Sequence, residues 1–367
     1  MNSSRKSRNT QSFGFCAAVM AFVLLALSII SPVATASTLV LEIPASIASL
    51  QPNPYARINE PAYQSLAKAQ AQIDKQQPAA ALKTLAKLIT AYAQNPYIIS
   101  LALRSAAWIM LDAEQTEDAI NMIETVIRLH SLDDTSIASL QHTLAQLYYH
   151  NAQYEKAAQV LKLWLKTKNN THVTSDDYYL LALAYYHLAN YTQSISAAKQ
   201  GLKMKPEAAE PFWQLILNCQ LQQEDYQEAA QTLTRLMALQ PNEIAYWTQW
   251  VSVQHQLQQP EEALAALELM SLKGWLQTEP LALQYVHLLA QQGNPTRAAE
   301  QLSEMLQNKI IPQDVKQELY LAQLWAQAGE TDKALLLFKH LKEAAELPEA
   351  DLSLLDQWLV YLQSRQP

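Results

Sequence analysis

From about residue 62 to residue 348 the apolar positions recur at helical spacing, and short polar turns interrupt them. A slower beat runs through that pattern. A small residue returns at Ala81, Ala119, Ala157, Ser194, Ala229, Ala263, Ala298 and Ala334, in steps of 38, 38, 37, 35, 34, 35 and 36 residues. A tyrosine, proline or threonine stands three residues before each one. A large apolar residue is expected four residues after it, as at Leu85, Ile123 and Leu267. The beat predicts eight helix pairs, roughly 62–95, 100–133, 138–171, 175–208, 210–243, 244–277, 279–312 and 315–348.

The physics of such a column is packing. Two antiparallel helices approach closely only where a small side chain on one faces a bulky one on the other. Eighth in each unit come Ala69, Ala107, Ala145, Ala182, Leu217, Val251, Val286 and Ala322. Alanine permits close approach and favours helix over glycine by about 1 kcal/mol. Only five glycines occur in the chain, so a stiff assembly is expected. Leu217, Val251 and Val286 depart from the small-residue rule and predict local repacking in units five to seven. Pro78, Pro260 and Pro295 fall where second helices start, and Asp225 and Asn294 are placed to cap two of them.

Tyr178, Leu181, Ala182, Tyr185, Tyr191 and Pro206 in the fourth unit, and Trp213, Ile216, Tyr226, Ala229 and Pro241 in the fifth, resemble the tetratricopeptide repeat. That repeat has two helices in about 34 residues. The resemblance implies an all-α fold, a right-handed α-solenoid of about eight such pairs (62–348). A single pair cannot bury its apolar face alone, and stacking the pairs leaves an extended concave surface. Residues 349–363, with Leu352, Leu355, Trp358, Leu359 and Leu362, read as a capping helix, within a closing segment 349–367. Residues 37–61 carry Pro44, Pro52 and Pro54 and read as an extended, partly disordered lead-in. Steps of 38 residues leave room for longer turns between units one to four.

Residues 1–36 have the layout of a secretory signal peptide. Arg5, Lys6 and Arg8 precede an uncharged run from Phe13 to Ile30, followed by Pro32 and the small-residue site Ala34-Thr35-Ala36. Cleavage is expected after Ala36; the alternative is an uncleaved inner-membrane anchor. Removal of this segment takes away three basic residues and no acidic one, moving the formal net charge from −8 to −11. Such a chain will not hold nucleic acid or anionic lipid through bulk charge. It would retain Cys219 alone, which excludes an intramolecular disulfide, and a buried thiol is expected there. Export, acidity and this cysteine usage suit a bacterial periplasm.

The chemistry-bearing patterns are few. The sequence has no His-Glu-x-x-His, no cysteine pair, no glycine-rich phosphate loop and no Gly-x-Ser-x-Gly elbow, so no catalytic, cofactor or metal residues are assigned. Asp176-Asp177 and Glu261-Glu262 stand near helix starts, where they answer the helix dipole. The groove is more informative. Tetratricopeptide first helices line it with positions 5, 9, 12 and 13 (and position 2). Those positions are His142, Gln146, Tyr149 and His150 in unit three, and Tyr179, Leu183, Tyr186 and His187 in unit four. Unit five gives Gln214, Asn218, Leu221 and Gln222, and unit six gives Thr248, Ser252, His255 and Gln256. The lining is aromatic, amide and imidazole, suited to an extended or helical peptide. Tyr149, Tyr179 and Tyr186 have a second reading as packing between units. The lysine and asparagine clamp of chaperone-binding repeats is absent, with only Asn218 matching it.

Three stretches carry a narrower resemblance: Arg57-Ile58-Asn59-Glu60-Pro61-Ala62-Tyr63, Leu144-Ala145-Gln146-Leu147-Tyr148, and Ala245 to Leu269. They resemble exported tetratricopeptide proteins encoded beside TonB, ExbB and ExbD. The resemblance implies a non-enzymatic periplasmic scaffold that serves TonB-dependent uptake across the outer membrane. A general adaptor for envelope assembly or secretion is the alternative, and a helical domain of an envelope enzyme a third. Homo-oligomerisation stays open, with the weakly patterned first two units as its candidate surface.

Overall fold

The computed structural model describes residues 39–52, 57–166, 173–344 and 349–363. Seventeen α-helices and two short 3-10 turns account for its regular structure. The helices pair in chain order. Helices α1 (Glu60–Asp74) and α2 (Pro78–Ala91) form the first pair, α3 (Pro96–Asp112) and α4 (Thr116–Leu129) the second, and α5 (Asp134–His150) and α6 (Tyr154–Lys166) the third. Then come α7 (Ser175–His187) with α8 (Tyr191–Met204), α9 (Ala209–Gln222) with α10 (Tyr226–Leu239), and α11 (Ile244–Gln256) with α12 (Pro260–Leu272). Helices α13 (Glu279–Gln291) and α14 (Pro295–Gln307), then α15 (Val315–Gln327) and α16 (Thr331–Ala344), complete eight pairs, and α17 (Glu349–Gln363) closes the array. Each helix packs chiefly on its chain neighbours, the arrangement of an α-solenoid.

The small-residue column is the seam of that stack. Each of its members is the fourth residue of a second helix, and each is at most 1 % exposed. The eighth-position residues are equally buried, including the bulky Leu217, Val251 and Val286. The fourth pair departs from the large-residue expectation. Ala198 stands four after Ser194, and Ser194, Ala197, Ala198 and Gly201 give α8 a buried face of small side chains. Phe212 of α9 fills the space, its ring so close to Gly201 that an added Cβ there would collide with it.

The turn inside every pair has one geometry. The residue two before each second helix is left-handed: Gln76, Glu114, Ala152, Ala189, Glu224, Gln258, Gly293 and Gly329, at φ between 54° and 79°. Its N–H donates three residues back, as from Ala152 to the Tyr149 carbonyl at 3.0 Å. The next N–H donates five residues back, as from Gln153 to the Tyr148 carbonyl at 2.8 Å. This is the Schellman closure, and it satisfies carbonyls that the helix end leaves without partners. The following residue opens the next helix, with Asp225 and Asn294 capping through their side chains as expected.

Two expectations change. The 38-residue steps do not lengthen the early turns. They lengthen the first helices, α3 and α5 having 17 residues where α7 has 13. One extra helical turn absorbs the difference. The lead-in is not wholly extended. Ala45–Ser49 forms a 3-10 turn with Ile47 fully buried, and Leu41 is buried before it. Gln115 pairs with the Leu39 backbone in both directions (3.2 and 2.9 Å), and Arg128 donates to the carbonyls of Ile47 and Ala48. The segment is thereby strapped along α4.

The buried apolar residues form three clusters rather than one, parting within pairs five and six. The break coincides with Leu217 and Val251 and with two buried amides, Gln220 and Gln254, whose Oε1 atoms find no partner among the described residues. Over the last pair, α17 buries Leu355 and Leu362 and stacks Trp358 on Phe338 with centroids 5.9 Å apart. No described helix is long and apolar enough to cross a membrane. The expected signal segment lies outside the described residues.

Candidate functional site

The first helices of pairs three to six carry the sixteen residues assigned to the groove, and the structure divides them into distinct roles. His142 is bound into the wall. Its Nε2 lies 2.6 Å from the Asp177 carboxylate, and its ring packs 5.4 Å from Trp164. Asp177 is only 2 % exposed and closes a capping box with Thr174. Burial alone would raise the Asp177 pKa. Hydrogen bonds from His142, the Thr174 backbone and Trp164, with the His142 charge, outweigh burial and hold the carboxyl below its ordinary value. This knot ties pair three to the start of α7.

Tyr179 is also wall. It is half-buried against Phe212 in an edge-to-face contact at 5.1 Å, and burial pushes its phenol pKa up. Leu183 and Leu221 are half-buried and pack against the core, and Gln146 is half-buried as well. Gln214 is exposed and donates to the Tyr246 hydroxyl, which in turn donates to Glu210 at 2.8 Å.

The remaining residues are exposed or half-buried. Asn218, Gln222, Ser252, His255 and Gln256 are exposed, and Thr248 is half-buried with its hydroxyl donating to the Ile244 carbonyl. Tyr149, His150, Tyr186 and His187 gather where first helices end and second helices begin. His187 stacks on Tyr154 with centroids 4.3 Å apart and planes 9° from parallel. The Tyr149 hydroxyl lies 3.2 Å from His187 Nε2, and Tyr149 also packs edgewise on His150 and Tyr154. Tyr186 continues the row to Tyr191 at 5.8 Å. Burial, reinforced by the neighbouring phenols of Tyr154 and Tyr179, raises the Tyr149 pKa, so its hydroxyl stays protonated as a donor at neutral pH.

Tyr154 and Tyr191 were not assigned to the site from sequence, because they open second helices and the frame gives those positions a packing role. Trp108 was missed for another reason. It holds the ninth position of unit two and is 46 % exposed, but the weak patterning of that unit left it unmapped.

The site therefore consists of an aromatic–imidazole ledge across pairs three and four, continued by an amide and hydroxyl row over pairs five and six. Large flat rings supply contact area at low entropic cost, and amides supply donors and acceptors for a peptide backbone. Among the described residues no group of three or more histidine, cysteine or carboxylate side chains is placed to hold a metal ion. Cys219 is buried against the Ser194 hydroxyl at 3.3 Å, and burial pushes its thiol pKa up, the setting of an inert structural thiol.

The family described as "Tetratricopeptide repeat" matches residues 179–244 and 286–348. The chain folds as an α-solenoid of tetratricopeptide-like helix pairs. The family described as "Anaphase-promoting complex, cyclosome, subunit 3" matches residues 112–201. No curated protein matches the chain. Among solved structures, a tetratricopeptide repeat protein from Parabacteroides merdae is 15 % identical with a TM-score of 0.39, covering 83 % of this chain and 100 % of its own. A MamA fragment from Desulfovibrio magneticus is 18 % identical with a TM-score of 0.38, covering 51 % of this chain and 99 % of its own. YrrB, whose structure is described as having an unusual peptide-binding site, is 14 % identical with a TM-score of 0.38, covering 50 % of this chain and 89 % of its own. Tetratricopeptide solenoids are in general non-catalytic modules that bind proteins or peptides.

Proposed function

We propose that this solenoid is a non-enzymatic scaffold of the bacterial periplasm that holds a peptide segment of an envelope protein against pairs three to six. The observation that carries the reading is the ledge of Tyr149, Tyr154, Tyr186 and His187. It joins two repeats through ring contacts and presents His187 to solvent. Aromatic anchors flanked by polar, adaptable groups are the composition of binding hot spots. Export rests on the basic, apolar and small-residue layout of residues 1–36. A role beside TonB, ExbB and ExbD rests on the resemblance of residues 57–63, 144–148 and 245–269 to exported proteins of that system.

The test is crosslinking in cells with a photoreactive residue in place of Tyr186, in the full chain with its own leader. Capture of a TonB-system component supports the specific reading. Capture of other envelope proteins alone replaces it with a general adaptor, and retention in the cytoplasm after spheroplasting removes the periplasmic assignment.

A further inference from the structure

The first pair has no preceding pair among the described residues, and a cavity of 440 Å³ opens between α1 and α2. Its wall carries Lys68, Lys83 and Lys87 with Gln72 and Thr84, and no carboxylate. We infer that this cavity is a second binding site, distinct from the groove, that takes an acidic peptide segment through its glutamate or aspartate side chains.

Three features converge on an anionic occupant. None of the three ammonium groups makes an ion pair among the described residues. The acidic side chains of α1 are engaged elsewhere, Glu60 by Gln64 at 3.0 Å and Asp74 by Gln70 at 2.9 Å, and α2 carries no acidic residue. The Gln72 carbonyl oxygen accepts from the Thr84 hydroxyl at 2.8 Å, which leaves the Gln72 amide as a further donor. A terminal repeat needs a polar outer face for solubility. Polarity alone does not call for three like charges around one cavity, two of them four residues apart on one helix, where they repel. The arrangement is the more pointed because the chain carries a net charge of −8. The cavity lies in the size range of ligand pockets, and a carboxylate-bearing chain supplies the complementary charge.

The probe is a fluorescent peptide of alternating glutamate and glycine, titrated into the full chain at low and moderate salt. Binding is expected, weakening with salt. Replacing Lys68, Lys83 and Lys87 together by glutamine should weaken it at least about tenfold, while replacing all three by arginine should preserve it. The control replaces Lys199, Lys203 and Lys205, exposed lysines outside the cavity, by glutamine. Equal losses in the two glutamine triples would reduce the effect to bulk charge and overturn the site. No binding by the parent chain overturns it as well. Salt-sensitive self-association abolished by the cavity triple, without peptide binding, would make a second copy the occupant and overturn the peptide assignment. Unchanged helicity in the glutamine triple separates lost charge from lost fold.

Discussion

Tyr154 and His187 stack face to face across the boundary between pairs three and four, with ring centroids 4.3 Å apart. Tyr154 opens α6 and His187 ends α7, so the contact couples two repeats at the edge formed by their internal turns. Stacked pairs contribute about 0.5–1.5 kcal/mol beyond area burial. Replacing both residues by alanine in a double-mutant cycle should return a stability coupling of that size. The same double variant should weaken partner binding about tenfold or more, the loss expected of an anchor. Lost stability with unchanged affinity would leave the ledge a packing device only.

His142 and Asp177 make a different prediction, because one partner is almost wholly buried. His142→Ala leaves the carboxylate one donor short and should cost about 1–3 kcal/mol. Because His142 is wall rather than free lining, His142→Gln should leave partner affinity unchanged. The pH dependence has a definite sign. The folded-state pKa of Asp177 is depressed below its ordinary value, so its contribution is fully present above about pH 4 and is lost as pH falls through the folded value. The thermal midpoint should therefore decline on the acid side, and Asp177→Asn should flatten that limb while lowering the midpoint at neutral pH. A parallel acid limb in Asp177→Asn would remove Asp177 as its source.

The internal turns store strain that the sequence keeps without need. A left-handed backbone costs an L-residue about 1–2 kcal/mol, and glycine escapes it while adding about 0.5–1 kcal/mol of chain entropy to lose. At Ala152 (φ 55°) and Ala189 (φ 54°) the first effect is the larger. Ala152→Gly and Ala189→Gly should each stabilise by up to about 1 kcal/mol. Gly293→Ala and Gly329→Ala should destabilise by a similar amount, with open space around both added Cβ atoms leaving strain as the cause. Chemical denaturation of the four variants reads the signs directly.

These turns also show where the sequence is silent. The small-residue column is legible because burial at a helix crossing restricts residue type, and all eight members are buried. The left-handed positions leave no such trace: six of the eight are glutamine, glutamate or alanine, since the Schellman bonds enforce the conformation whatever the side chain. Groove and wall are likewise confounded. His142, Tyr179 and Tyr186 share one helical frame, but Asp177 and Phe212 draw the first two into contacts between pairs, and both partners lie outside the frame. The lead-in misleads through its prolines, which disfavour a helix without preventing Ile47 from docking.

Gly201 and Phe212 reverse an ordinary expectation. Glycine within an exposed helix is about 1 kcal/mol less favourable than alanine, so Gly201→Ala should stabilise α8 by propensity alone. Here the added methyl meets the Phe212 ring and stands 3.0 Å from the Ser175 carbonyl. Phe212 has little room to yield: it is 4 % exposed, and Tyr179 abuts its ring edge to face. Overpacking of this kind costs about 1–3 kcal/mol, enough to outweigh the propensity gain. Gly201→Ala should therefore destabilise the protein. Phe212→Leu should soften the penalty in the double variant, because a smaller, more flexible side chain vacates the ring position. Denaturation midpoints of the two singles and the double give the answer; a stabilising Gly201→Ala would mean that pairs four and five are less tightly joined than the Phe212 contact requires.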